Sequence, residues 1–163
     1  MTPGLHIAAA TERDVPVILQ LIKGLAEYEK LAHLVTATED DLRTALFGPS
    51  PVAGAVIASV DGRPVGYALW FQTFSTFLGR RGFYLEDLFV VADARGMGVG
   101  RALLAHLARI ALERGCDRVD WAVLDWNEAA IRFYQGIGAR PIDEWTVYRL
   151  TGEALRELVE SNG

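Results

Sequence analysis

The stretch "ADARGMGVGRALLAHLARIALERG", Ala92 to Gly115, sets three glycines at alternate positions, Gly96, Gly98 and Gly100, at the mouth of a long amphipathic run. A glycine costs about 1 kcal/mol relative to alanine inside a helix, so three at a helix entry mean that something must come close to that backbone. An apolar, aromatic segment precedes them, "FYLEDLFVV", Phe83 to Val91. A strand that passes through a Gly-rich loop into a helix is an anion site, because the amides of the first turn are free and the helix dipole favours negative charge. Glycine removes the side chain that would stand in the way, and Arg101 adds a positive charge. The expected visitor is a phosphate or pyrophosphate; the plain alternative is a tight turn that holds no ligand. A P-loop needs Gly-Lys-Ser/Thr, and the only lysines are Lys23 and Lys30. A dinucleotide fingerprint, G-x-G-x-x-G, ends on Arg101 when counted from Gly96 and on Leu103 when counted from Gly98, so it fails in both frames. What remains is Arg-x-x-Gly-x-Gly, on Arg95, Gly98 and Gly100.

The chain has 163 residues, 51% hydrophobic and 23% charged, which suits one compact globular domain over 1–163. A net charge of −5 argues against nucleic acid, whose readers carry a basic face, and is compatible with a cationic substrate. A lone cysteine, Cys116, allows no intrachain disulfide and fits a reducing compartment. The N-terminus lacks the charge-then-apolar pattern of a signal peptide, and no apolar run reaches the roughly 18 residues of a membrane span. A soluble, cytoplasmic protein with no membrane partner is expected.

Periodicity places the elements. "LHIAA" reads as a short strand. Thr11 with Asp14 opens a helix in which Val15, Ile18, Leu19, Ile22, Leu25 and Ala26 recur at helical spacing. A second helix, "TEDDLRTALFG", starts on Thr38 and stops at Gly48 and Pro49. "AGAVIASV" and "PVGYALWFQTF" are strands joined by the turn Asp61-Gly62. Phe83–Val91 is a strand, and the glycine stretch leads into a helix ending near Glu113. "RVDWAVL", Arg118 to Leu124, is a strand, and "NEAAIRFYQGIG" is a short helix ended by Gly136 and Gly138. "WTVYRL" is expected to close the sheet, and "TGEALRELVES" to form a last helix capped by Thr151. The reading is a single α+β domain.

Arg95-Gly96-Met97-Gly98-Val99-Gly100 resembles the acyl-CoA pyrophosphate loop of the GNAT superfamily of N-acetyltransferases, in which the loop likewise follows a strand and opens a long helix. "LIKGLAEYE" (Leu21 to Glu29), "FYLEDLFV" (Phe83 to Val90) and "WNEAAIRFYQGIGA" (Trp126 to Ala139) resemble the spermidine/spermine, or diamine, N-acetyltransferase branch. Taken in order, these segments cover most of the chain. The resemblance implies a GNAT fold, a mixed and mostly antiparallel twisted sheet flanked by helices, with a splay between the Tyr84 and Arg118 strands to admit acetyl-CoA. It also implies a homodimer, which exposed aromatics near "WFQTFSTF" would permit.

Acetyl transfer from a thioester to an amine needs a deprotonated amine, donors for the developing oxyanion, and a proton for the departing thiolate. The resemblance gives Glu86 to the substrate amine, taking its proton through water; a salt bridge to Arg80 or Arg81 is its structural alternative. Strand alternation sets Glu86 and Asp87 on opposite faces. Tyr134 is the candidate general acid, against the plainer reading of a core aromatic. It stands seven residues after Asn127, about two helical turns, so the two share a face. Asn127 can also cap its helix. The same resemblance sets Asn127, Ala129, Ala130 and Tyr134 along the CoA thiol arm. It sets Leu88, Phe89 and Val90 beside the pantetheine through their backbone groups, as an added strand would pair. The loop Arg95, Gly96, Met97, Gly98, Val99, Gly100 and Arg101 takes the pyrophosphate.

For the substrate, the resemblance carries Tyr28, Glu29, Asp120, Trp121 and Glu144 to the amine pocket, beside Glu86; Glu29 and Asp120 read equally as solvated charges. The animal polyamine enzymes carry Asp-Pro-Trp ahead of the Tyr-Leu-Glu-Asp strand, where this chain has Ser75-Thr76-Phe77 and one extra residue before Tyr84. Without that carboxylate, a short diamine, or an amino acid with a terminal amine such as thialysine or lysine, is as plausible a substrate as spermine or spermidine. Two alternatives stand: an acetyltransferase for an aminoglycoside or a protein N-terminus, and a CoA-binding regulatory module without turnover. His6, His33 and His106 have no ligand spacing, so no metal site is expected. Cys116 reads as packing.

Overall fold

The computed structural model describes residues 2–161, and the chain divides into two compact units, Met1–Leu124 and Asp125–Gly163. In the first unit β1 (Leu5–Ala9), β2 (Gly54–Val60), β3 (Arg63–Ser75), β4 (Arg80–Val90) and β5 (Val119–Asp120) form one sheet in that order. The first four strands pair antiparallel and β5 pairs parallel to β4. This is the mixed, mostly antiparallel sheet expected. The β2–β3 turn has positive φ at both Asp61 (50°) and Gly62 (81°), the primed geometry whose twist matches a hairpin's strands.

α1 (Val15–Tyr28) and α2 (Glu39–Phe47) cover one face of the sheet. Both begin on the Thr-x-x-Asp pattern. The Asp14 carboxylate accepts from the Thr11 amide at 2.7 Å, within a 3-10 turn over Glu12–Asp14 that precedes α1. Asp41 accepts from the Thr38 amide at 2.8 Å while the Thr38 hydroxyl accepts from the Asp41 amide at 3.2 Å, a reciprocal capping box. These bonds to its ionised form hold the Asp41 carboxyl below the usual range. The face beneath is apolar: Val15, Ile18 and Leu21 of α1 and Leu42 and Leu46 of α2 pack with Ala55, Ile57, Tyr67, Leu69 and Phe89 of the sheet. Gly24 lets α1 lie close, since a Cβ there would stand 2.9 Å from the Phe89 ring.

α3 (Val99–Glu113) covers the other face with Val99, Leu103, Leu104, Leu107 and Ala111. Opposite it lie Val56, Ala58, Ala68, Trp70, Phe83 and Leu85, all buried, with Trp70 and Phe83 stacked at 5.9 Å. Cys116 is buried just beyond α3, as its packing role requires.

In the second unit α4 (Glu128–Gly136) and α5 (Gly152–Glu160) are the regular elements among the described residues. α4 ends at Gly136, at the expected glycine pair, and Gly138 takes φ 92° while Gly138 and Ala139 donate to the Gln135 and Tyr134 carbonyls. This is a Schellman closure. Thr151 stands at the N-cap of α5, but its side chain makes no capping bond.

Two expected strands differ. Residues 118–124 pair over Val119–Asp120 alone, and the 145–150 segment forms no strand. Its β-branched and aromatic residues do not lack propensity; Val147 and Tyr148 are more than nine-tenths exposed. β-propensity expresses packing against cross-strand neighbours, and among the described residues no strand pairs with this segment. For the core, Phe83→Ala, which removes a fully buried ring, is expected to lower unfolding free energy by about 3–5 kcal/mol in urea titrations.

Candidate active site

β4 is where the chemistry-bearing residues gather, and its pairing with β3 sets their directions. Phe71 pairs with Tyr84, Trp70 with Leu85, and Leu69 with Asp87. Glu86 is skipped. It is the extra residue of a β-bulge, a device that leaves two residues opposite one and re-aims side chains. Phe71 and Leu69 share a face, so Tyr84 and Asp87 share it too, although they stand three positions apart. The expected strict alternation through Glu86 and Asp87 is therefore corrected: the inserted residue breaks the period of two, Asp87 lies on the face of Tyr67 and Tyr84, and the charge of Glu86 acts on the same two tyrosines.

The electrostatics agree. Burial first, then the charges of Glu86 and Asp120, push the Tyr84 hydroxyl up. Tyr67 is fully buried and its Oη donates to Asp87 Oδ2 at 2.9 Å. Its hydroxyl is pushed up by burial, by Asp87, and by the charges of Glu29 and Glu86. Asp87, half-buried, is pushed up to about 6 by burial; the Tyr67 bond opposes that rise, and Glu86 and Glu29 add to it. Burial likewise raises Glu29, at the C-terminal end of α1. Glu29, Glu86, Asp87 and Asp120 thus act on one pair of tyrosines, and a site of that kind favours a cation. Asp120 also meets Arg118 Nε at 3.0 Å, an exposed pair of small energetic weight. Arg80 pairs with Asp117 at 3.6 Å. Among the described residues no ion pair joins Glu86 to Arg80 or Arg81, so the salt-bridge alternative for Glu86 does not hold.

The glycine loop lies at the end of β4. After a 3-10 turn over Ala92–Ala94, Gly96 and Gly98 take φ of 78° and 79°, a left-handed conformation that side chains resist. A Cβ at either would meet nothing within 4 Å, so the loop faces open space. The first bond of α3 is donated by Ala102 to Gly98; the Val99, Gly100 and Arg101 amides precede it, as a helix N-terminus requires. The loop can hold a pyrophosphate. Arg95 does something further: its Nε donates to the Val90 carbonyl at 3.0 Å. Its guanidinium lies 4.5 Å from the Tyr28 ring centroid and 5.7 Å from that of Phe89. It ties the loop to the end of α1.

Beyond Tyr84, β4 runs without β5, whose ladder consists of Phe83 with Val119 and Tyr84 with Asp120. The backbone of Leu88, Phe89 and Val90 therefore presents the edge on which a pantetheine arm can pair. Ser75, in place of the aspartate of the polyamine enzymes, closes the β3–β4 turn by accepting from the Leu78 amide at 3.3 Å. Trp121 follows β5, half-buried.

In the second unit Asn127 is buried at the N-cap of α4, its Oδ1 accepting from the Ala130 amide at 3.2 Å. The capping reading is thus satisfied. Ala129 and Ala130 form the first turn. Tyr134 lies half-buried in the last, its ring 5.4 Å from Phe133. Glu144 is exposed after α4.

With this geometry in view, residues 20–139 match the acetyltransferase (GNAT) family, and the chain belongs to that family. It is an N-acetyltransferase. It is 41% identical to a thialysine N-epsilon-acetyltransferase of Bos taurus, over 93% of this chain and 95% of that protein. It is 32% identical to an L-ornithine N5-acetyltransferase of Arabidopsis thaliana, over 96% of this chain and 89% of that one. An integron cassette protein of V. cholerae superposes with a TM-score of 0.80 at 29% identity, covering 96% and 98% of the two chains. Acetyltransferases of this family use acetyl-CoA as co-substrate.

Three features escaped the sequence: the bulge, the Tyr67–Asp87 bond, and Arg95 over Tyr28. A tyrosine inside an apolar strand was the available signal, since a buried hydroxyl needs an acceptor. Asp87 makes a pH prediction. Its folded pKa of about 6 exceeds the ordinary 3.8, so the folded chain binds that proton more tightly. The group's contribution to stability is complete below about pH 3.8 and is lost as the pH rises through about 6. Asp87→Asn keeps an acceptor for Tyr67 and is expected to exceed the parent by about 1–3 kcal/mol at pH 7.5. Denaturation across the pH range should show the advantage vanishing near pH 3.

Proposed function

We propose that this chain transfers the acetyl group of acetyl-CoA to the primary amine of a small diamine, or of an amino acid with a terminal amine such as thialysine or lysine. What supports this most is the gathering of Glu29, Glu86 and Asp120 about Tyr67 and Tyr84, in a chain about 40% identical to thialysine acetyltransferases over nearly its full length. Carboxylates in a half-buried site are expensive alone and are offset by a bound ammonium.

In this reading Tyr28, Glu29, Asp120, Trp121 and Glu144 receive the amine. Acetyl-CoA supplies the activated acyl group. The loop from Arg95 to Arg101 holds its pyrophosphate with first-turn amides, and Leu88, Phe89, Val90, Asn127, Ala129 and Ala130 hold the arm. Glu86 takes one proton from the substrate ammonium through water. The freed nitrogen attacks the thioester carbonyl, so that a C–N bond forms and the C–S bond breaks. Tyr134 gives its proton to the sulfur, and the second amine proton, shed as the amide forms, restores Tyr134. Both substrates are bound together and no acetyl-enzyme forms. The protein works as a cytoplasmic homodimer; Phe74 and Phe77, exposed at the β3–β4 turn, offer apolar surface to a second copy.

The test is thiol release from acetyl-CoA with thialysine, lysine, ornithine, putrescine, spermidine, spermine and an aminoglycoside. Saturable turnover with a short diamine or an amino acid is expected; turnover confined to the aminoglycoside, or to none, overturns the proposal. Tyr134→Phe is expected to lower kcat by roughly 10²-fold with little change in the KM for acetyl-CoA. Glu86→Gln is expected to lose a similar factor in kcat/KM for the amine. That loss should shrink at alkaline pH, where more amine is already free.

A further inference from the structure

We infer that Tyr67 is a positioning residue for the acceptor amine: its buried hydroxyl fixes the Asp87 carboxylate as an ammonium-binding anion at the floor of the site. This rests on the reading of the site as an amine site. Tyr67 stands at mid-strand in β3 with none of its surface exposed. Its ring packs among Ile18, Leu21, Ile57 and Phe89, a role that phenylalanine would fill equally. The Oη is what phenylalanine lacks, and it is spent on Asp87 Oδ2 at 2.9 Å. That bond exists because of the bulge, which brings Asp87 onto the face of Tyr67 and Leu69.

The groups acting on Asp87 are few. Glu86 on β4 and Glu29 at the end of α1 are like charges, and with burial they oppose ionisation; the Tyr67 hydroxyl on β3 favours it. Among the described residues no cation acts on Asp87; Arg95 is held on the Val90 carbonyl and over the Tyr28 and Phe89 rings. Tyr67 therefore keeps Asp87 charged and aimed without neutralising it, as an ion pair to arginine would. A carboxylate so held remains available to a visiting ammonium. Remove the hydroxyl and Asp87 loses both its orientation and the interaction that favours its charge.

The experiment uses Tyr67→Phe, Asp87→Asn and the double variant of the full chain, with two readouts. The first is 13C-NMR titration of the Asp87 carboxyl in protein without substrates. Tyr67→Phe is expected to move the midpoint to higher pH, and an unmoved midpoint overturns the inference. The second is steady-state kinetics with thialysine and acetyl-CoA from pH 6 to 9. Tyr67→Phe is expected to raise the amine KM roughly tenfold at pH 7, the loss of one hydrogen bond to a charged group. kcat and the KM for acetyl-CoA should change far less, and the acid limb of kcat/KM for the amine should move to higher pH. Adding Tyr67→Phe to Asp87→Asn is expected to change the amine KM little further. Equal losses in both KM values and kcat, or a full additional loss in the double variant, would make Tyr67 merely structural and overturn the inference. The titration needs no turnover, so it decides the Tyr67–Asp87 linkage even if no amine is acetylated, an outcome that counts against the proposed function instead.

Discussion

One inserted residue in β4 organises the site. By skipping Glu86, the β3–β4 ladder turns Asp87 onto the face of Tyr84 and Tyr67, where strict alternation would have put it among the side chains beneath α3. Asp87 reaches that face because the ladder skips one residue there. The same strand carries Leu88, Phe89 and Val90 to an edge that β5 has left, then delivers the chain into the glycine loop. In the proposed reading, acceptor chemistry, thiol arm and phosphate cradle follow one another along a single strand, so their spacing is set by the backbone and not by flexible side chains.

That arrangement costs stability. Burial raises the pKa of Asp87 and of Glu29, and the charges of Glu86 and Glu29 add to the rise at Asp87, which is free energy held against the folded state at neutral pH. Strain of this kind gathers where a ligand relieves it. The core pattern shows how the fold tolerates the load. Face by face, α1 and α2 on one side and α3 on the other bury a continuous aliphatic and aromatic layer, and the acidic groups sit at its margin.

Much of this was legible in the residues. The Thr38 cap, the Asp61-Gly62 turn and the helix after the glycine stretch follow from local chemistry and form as read, while Thr11 with Asp14 opens a 3-10 turn ahead of its helix. The loop motif with its flanking strand and helix pointed to the family. Long-range pairing was less legible. Whether residues 118–124 pair fully, and whether 145–150 pair at all, depends on neighbours distant in sequence, and propensity cannot report on that. The bulge was hidden for a related reason: "FYLEDLFV" carries the same letters whether or not the ladder skips one of them. Tyr67 was not legible as a donor, since strict alternation does not bring Asp87 onto the face it shares with Tyr84.

The bulge also says how β4 tolerates change in length. If Glu86 were excised, Leu85 and Asp87 would become consecutive and would continue to face Trp70 and Leu69. The ladder would run unbroken, with Phe83 and Leu85 still beneath α3 and Phe89 still against α1. Deleting Phe83 or Tyr84 instead would turn Leu85 to the wrong layer, and deleting Leu85 would draw Glu86 into its place beneath α3. Removal of Glu86 thus leaves every paired residue of β4 opposite its present partner. Glu86 is the proposed base, so the fold could gain or lose it by a single-codon insertion or deletion without rebuilding the core.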